Sequence, residues 1–535
     1  MTIRKAILFA AALMALPVSS EAGNFGSDVG TFLLKSPIPS NNSLAAGGLS
    51  PIVANAAVAD NSCMFPTEGD SSATAKVPRL SSDEAARPWT FWYWVYGAVS
   101  KAGIHADLCG MKDIGLGGCY LMFIRSPKDK PEFHGTATQL SPTFWSMVDY
   151  AFAQADSLGL NMGIHVSDGF ALAGFPTITP AESMQKVVWT DTVITRRDYR
   201  RYLRSHKTIA DYPVDKPESY RGYYEDIARI AIPCNEIPRR WTPDSIILSP
   251  EISSKKGYWL ASRPASITYS FASPVTVRSM IVEPEGNNVQ SERLLVEASA
   301  DGISYHRVRQ LVPPRQGWQN TGSAYTFALP PTKARFFRFS WTPAGTEPGC
   351  EDLDAAKWKP LLKLRNIVLS NESRIDNYEA KSGIVWRVPS DSLLPPAAIA
   401  ASNVPTDRSP YVRILRIGHT STGQMNATAG GGKGLEVDKF SVGATKKLLD
   451  GWFLRFAARP HASVVKYLHV DSWECGAQNW GENFADEFRQ RRGYDLTPYL
   501  PVLCGYTVES PVKSEQVLRD VRRTINDLVN DKFFA

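Results

Sequence analysis

The sequence is short of the features that mark several large classes of protein. Basic residues do not cluster: the formal net charge is +6 but dispersed, with no basic stripe or arginine-rich arm, and nucleic acid binding wants such a patch. Cysteine is sparse. The count is seven, odd, with no CxxC pair and no His/Cys cluster, which excludes a disulfide scaffold and gives no signature of zinc. The apolar run at residues 6–18 is too short for a membrane span. Gly418-His419-Thr420-Ser421-Thr422-Gly423 and Gly430-Gly431-Gly432-Lys433-Gly434 both lack the GxxxxGK[ST] pattern of a phosphate loop. Ser421 has no GxSxG elbow around it, which argues against serine-nucleophile chemistry.

What is present is an aromatic-rich chain, 11% Phe, Trp and Tyr. Flat rings stack on the apolar faces of pyranoses, but large cores use as many. Arg4 and Lys5, the apolar run after them and Ser20-Glu21-Ala22 read as a cleaved secretory signal over residues 1–22. That predicts a periplasmic or secreted protein, where one or two disulfides can form. Residues 23–80 are rich in Ser, Ala, Asn, Gly and Pro and read as a low-complexity lead-in.

From residue 81 the pattern is strand and helix in turn. Thr90-Phe91-Trp92-Tyr93-Trp94-Val95-Tyr96 suits a buried strand ended by Gly97. Ser100 caps a helix with Ile104, Leu108 and Met111 on one face. Cys119 opens a second strand, Ser141-Pro142 a second helix that stops at Gly159, and Met162-Gly163-Ile164-His165-Val166 is a third strand. Such βαβ units build a parallel sheet with its strand C-termini at one end. Between residues 191 and 385 the pattern shortens to alternating stretches between turns, predicting an inserted β-sandwich. Val296 to Gly302, with Tyr305, resembles the discoidin-like carbohydrate-binding sandwich. Residues 386–535 return to strand and helix. The whole is α/β, with four or five strand–helix units where a closed barrel needs about eight; the barrel is expected to be incomplete in this chain.

Candidate chemistry gathers at predicted strand ends. Asp471-Ser472-Trp473-Glu474 follows an apolar strand, and Glu474 beside Trp473 and Cys475 suits a desolvated general acid; the alternative is a structural carboxylate that caps the next segment. Glu436 and Asp438, spaced by two, can face one side as metal ligands or sugar acceptors, or form an exposed turn paired with Lys439. His165 and Asp168 end the third strand and can bind sugar hydroxyls, or be satisfied core groups. Trp92, Trp94, His419, Trp473 and Asn479 complete the expected substrate contacts.

Taken in order, Arg87-Pro88-Trp89-Thr90-Phe91-Trp92-Tyr93-Trp94, Leu140-Ser141-Pro142, Met184 to Trp189, Gly434 to Lys439, Asp471 to Glu474 with Gln478-Asn479-Trp480, and Arg491-Arg492-Gly493-Tyr494-Asp495 resemble glycoside hydrolase family 106, the α-L-rhamnosidases. The resemblance implies a (β/α)8 barrel, inverting removal of terminal α-L-rhamnose from glycans, two catalytic glutamates and a calcium ion at the sugar site. Glu474 matches the glutamate of the family's DSWE motif. Nothing in this chain matches the second glutamate or the later barrel strands. The resemblance therefore predicts low activity for this chain alone, or a partner chain that completes the barrel. The rival readings are a non-catalytic glycan-binding protein with a degenerate barrel, and another glycosidase whose second carboxylate lies within these residues.

Overall fold

The structure, a computed structural model, describes residues 87–125, 135–169, 173–255, 257–286, 289–314, 324–343, 361–384, 405–471, 473 and 475–535. The expected signal and lead-in lie outside the described residues, and so does Glu474. The fold is mixed α/β.

The first unit follows the sequence closely. Strand β1 is Trp89–Val95, helix α1 Lys101–Asp113, strand β2 Gly118–Ile124, helix α2 Pro142–Leu158 and strand β3 Asn161–His165. The Ser100 hydroxyl accepts from the Gly103 amide at the start of α1, and Ser141 does the same for Phe144 in α2. Gly159 ends α2 with a left-handed φ of 63°, a conformation glycine adopts without strain. The three strands are parallel neighbours, and Val465–His469 adds a fourth strand, parallel to β3. Helices cover one face of this sheet. Trp92, Trp94, Leu121, Phe123, Met162 and Ile164 meet Leu108, Phe144, Phe152, Trp452 and Phe456 in one core. Each large side chain buried there contributes about 1.5–3 kcal/mol.

The segment around Val412, expected to resume the strand–helix rhythm, is different. Tyr411–Ser421 is the centre of a three-stranded sheet and pairs antiparallel with both Gln185–Thr195 and Glu225–Cys234. Its apolar residues are buried on both faces: Val412 and Ile414 in one cluster, Leu415 and Ile417 in another. Apolar residues at both parities are also what a buried parallel strand shows in sequence, so the direction of pairing was not legible. Gln185–Thr195 runs across the boundary drawn at residue 190.

Ala265–Pro284, Tyr325–Trp341, Leu362–Ser370 and Leu295–Ser299 belong to a nine-stranded sheet with a core of its own. Ala265–Pro284 is one long strand, bulged between Ser270 and Val275. Asp301 closes the turn after Ser299, accepting from the amides of Ile303 and Ser304.

After Ser441 the chain is helical but breaks at Trp452 into Val442–Gly451 and Phe453–Ala457. There the Trp452 indole donates to the His165 carbonyl at 2.8 Å. The last long helix starts earlier than its apolar period suggests, at Pro511, because Ser510 caps it. It packs with Phe484–Arg492 against the antiparallel sheet.

Candidate active site

Side chains alternate along a strand, so the face of the parallel sheet away from the helices carries the other parity: Trp89, Phe91 and Tyr93 from β1, Tyr120 from β2, His165 from β3, and Tyr467 and His469 from the fourth strand. The rings touch. Phe91 stacks on Tyr93 at 5.9 Å between centroids and meets Tyr120 at 5.5 Å and His469 at 5.3 Å. Gly163 leaves room for this floor, since a Cβ there would come within 2.4 Å of the Tyr120 ring.

His165 and His469 are paired in register at the C-terminal ends of their strands. Asp471, two residues further on, brings a carboxylate oxygen 3.9 Å from Nε2 of His469. One donor atom from each of the three lies within 4.8 Å of the others. Burial pushes the His165 imidazole down to about 4, so it is neutral at physiological pH. Tyr93 is raised above its ordinary range, first by burial and then by the charge of Asp471. This end of the strands is where parallel α/β enzymes place their chemistry.

Of the residues read from sequence as a site, His165 and Asp471 come together here. Trp92 and Trp94 do not. They point into the helix-covered core, where Trp92 donates to Asp107 of α1 at 2.9 Å. The run Trp89–Val95 is aromatic at both parities, so spacing could not say which face is core. Phe91, Tyr93, Tyr120 and His469 were missed for the same reason, although the two-residue spacing of His469 and Asp471 is a signal that they share a face.

Asp168 is not open to a sugar. It is fully buried, and its Oδ2 accepts from the Gly430 and Gly432 amides, each at 2.8 Å. It thereby fixes the glycine-rich loop at residues 430–434. Gly432 is required there, because a Cβ would lie 2.6 Å from that of Asp168. His419 lies on the antiparallel sheet beside Gln185, 3.5 Å from Glu225. Asn479 accepts from the Val187 amide at 2.8 Å and ties its loop to the same sheet. Trp473 covers the ammonium of Lys439 at 4.6 Å. A cleft lined by Cys234, Glu236, Asn371, Glu372, Arg413 and Tyr506 lies apart from all of these.

The calcium ion implied by the resemblance does not fit Glu436 and Asp438. Calcium takes about six to eight oxygen ligands. Glu436 is fully buried and already paired with Lys439 Nζ at 3.0 Å, and it accepts from the Ala173 amide. Asp438 accepts from Gln478 and from the amides of Phe440 and Glu482. A lysine stands where a cation would be, and the second carboxylate is spent on protein donors.

Carboxylate, imidazole and aromatic rings at the C-terminal end of parallel strands suit a hydrolase of sugars. The chain belongs to glycoside hydrolase family 106, described as alpha-L-rhamnosidase, whose profile matches residues 81–535. A rhamnosidase from Novosphingobium sp. PP1Y has a similar fold, with a TM-score of 0.60 and 22% identity over 85% of this chain and 44% of that one. A protein of Formosa agariphila, provisionally named a beta-glucuronidase, is 25% identical over 459 residues, which is 85% of this chain and 28% of that protein. The chain thus spans less than half the length of either.

Proposed function

We propose that the chain is the part of an exported glycosidase that carries the general acid for removing terminal α-L-rhamnose. The observation that supports this most is the placing of Asp471, the first residue of the Asp-Ser-Trp-Glu motif, at the C-terminal end of Val465–His469 beside a floor of aromatic rings. Glu474 of that motif is assigned the proton donor to the glycosidic oxygen. In the inverting mechanism a second carboxylate about 6.5–9.5 Å away activates water. Phe91, Tyr93 and Tyr120 offer the apolar faces on which a deoxysugar stacks.

The test is release of aryl product from an α-L-rhamnoside by the purified chain, with an aryl β-glucuronide in parallel because of the Formosa relative. Slow turnover of the rhamnoside, lost in Glu474→Gln, is the expected result. Turnover of the glucuronide alone, or rhamnoside turnover that survives Glu474→Gln, defeats the proposal.

A further inference from the structure

Two imidazoles and a carboxylate converge at the end of the parallel sheet. His165 has no side-chain exposure. Its Nδ1 lies 2.6 Å from the Ser167 carbonyl and 3.3 Å from the Ser167 amide. The shorter contact decides the tautomer: a carbonyl only accepts, so Nδ1 carries the proton and Nε2 presents a bare lone pair. That Nε2 is buried and has no hydrogen-bond partner among the described residues, and neither does Nε2 of His469. A buried polar atom left unpaired is costly, and here the two rings lie 5.5 Å apart between centroids, with the Asp471 carboxylate 3.9 Å from Nε2 of His469.

We propose that His165, His469 and Asp471 form a binding site for a first-row transition dication of the zinc type. The donors are two nitrogens and one oxygen, which suits zinc and its neighbours and not calcium, whose ligands are oxygens. A backbone carbonyl on the far nitrogen of a histidine is the usual support for a metal ligand, since it fixes ring and tautomer. Donors at about 2.0–2.1 Å from a tetrahedral zinc lie roughly 3.3 Å from one another. His469 and Asp471 at 3.9 Å are close to this, and all three donors lie within 4.8 Å of one another. Three protein ligands leave a fourth position, which opens on the aromatic floor and takes water or a sugar hydroxyl. The inference stands on the donor set and not on the choice of sugar.

The test is metal binding by the full chain, followed by equilibrium dialysis with zinc and by the visible bands of cobalt(II), with calcium as the comparison. One zinc per chain is expected, with a tetrahedral cobalt spectrum, and with affinity lowered at least about 100-fold in His469→Gln and in Asp471→Asn, more than supporting residues usually contribute. Both side chains are partly exposed, so these variants are chosen over His165; near-ultraviolet circular dichroism checks each fold, and either one alone suffices. No zinc binding, zinc binding unchanged in the folded variants, or preference for calcium at the same residues overturns the proposal. Rhamnoside turnover is scored separately, so failure of one does not mimic failure of the other.

Discussion

Lys439→Met is the substitution whose consequence follows most directly from the structure. Lys439 and Glu436 are both fully buried, with Nζ and Oε2 3.0 Å apart. Two unit charges at that distance attract by about 5 kcal/mol at an effective dielectric of about 20, an attraction that offsets the loss of water by both. Met keeps much of the lysine stem but removes the ammonium, leaving the carboxylate with the Ala173 amide as its donor among the described residues. An uncompensated buried charge costs about 3–5 kcal/mol. Glu436→Gln is milder, about 1–3 kcal/mol, because its amide oxygen still accepts and Trp473 still faces the ammonium. The double variant buries no lone charge, so its loss should fall short of the sum by about 2 kcal/mol or more. Urea unfolding followed by tryptophan fluorescence measures all three. A loss under about 1 kcal/mol for Lys439→Met at unchanged slope, or strict additivity in the double variant, refutes the reasoning. So does a wild-type protein whose stability depends on calcium through Glu436.

Three other outcomes follow. Asp168 is pushed up to about 7, mainly by burial and against the pull of the Gly432, Gly430 and Gly169 amides. Its folded state therefore favours the proton, and stability present below the ordinary carboxylate range is lost as pH rises through about 7; Asp168→Asn should flatten the fall in melting temperature between pH ~5 and ~8, and an unchanged slope counts against this assignment. Trp92→Ala should cost about 3–5 kcal/mol in stability and leave KM for the glycoside unchanged, whereas Phe91→Ala should raise KM about tenfold at a smaller stability cost, near 1.4 kcal/mol of binding. The reverse pattern in steady-state kinetics would put the sugar on the other face of the sheet. Gly430→Ala places a Cβ 2.0 Å from the Gln139 amide oxygen, so it should destabilise the loop by about 1–3 kcal/mol, and Gln139→Ala in the same chain should restore part of the loss.

Local signals survived into the fold where one physical cause dictates one outcome. Ser100, Ser141-Pro142 and Gly159 mark helix ends because a cap hydroxyl and a left-handed glycine have few other uses, and those ends stand where the spacing put them. What failed was whatever depends on partners distant in sequence. Tyr411–Ser421 is apolar on both faces whether its neighbours run parallel or antiparallel, and only the chain's route decides. Asp168 looked like a sugar ligand at a strand end, and what claims it is a glycine loop from far along the chain. The same limit hid the strongest feature of the site. His165 and His469 lie on strands that meet only because the fourth parallel strand docks on the third, past a sheet of nine strands and another of three. A search for metal signatures by local spacing passes over such a pair. The register that aligns His469 with His165 is also what sets Tyr467 opposite Gly163. A one-residue slip of Val465–His469 would turn His469 and Tyr467 toward the helices. The aromatic floor and the donor cluster are therefore two results of one register, and a change that loosens the pairing of Val465–His469 should impair both together.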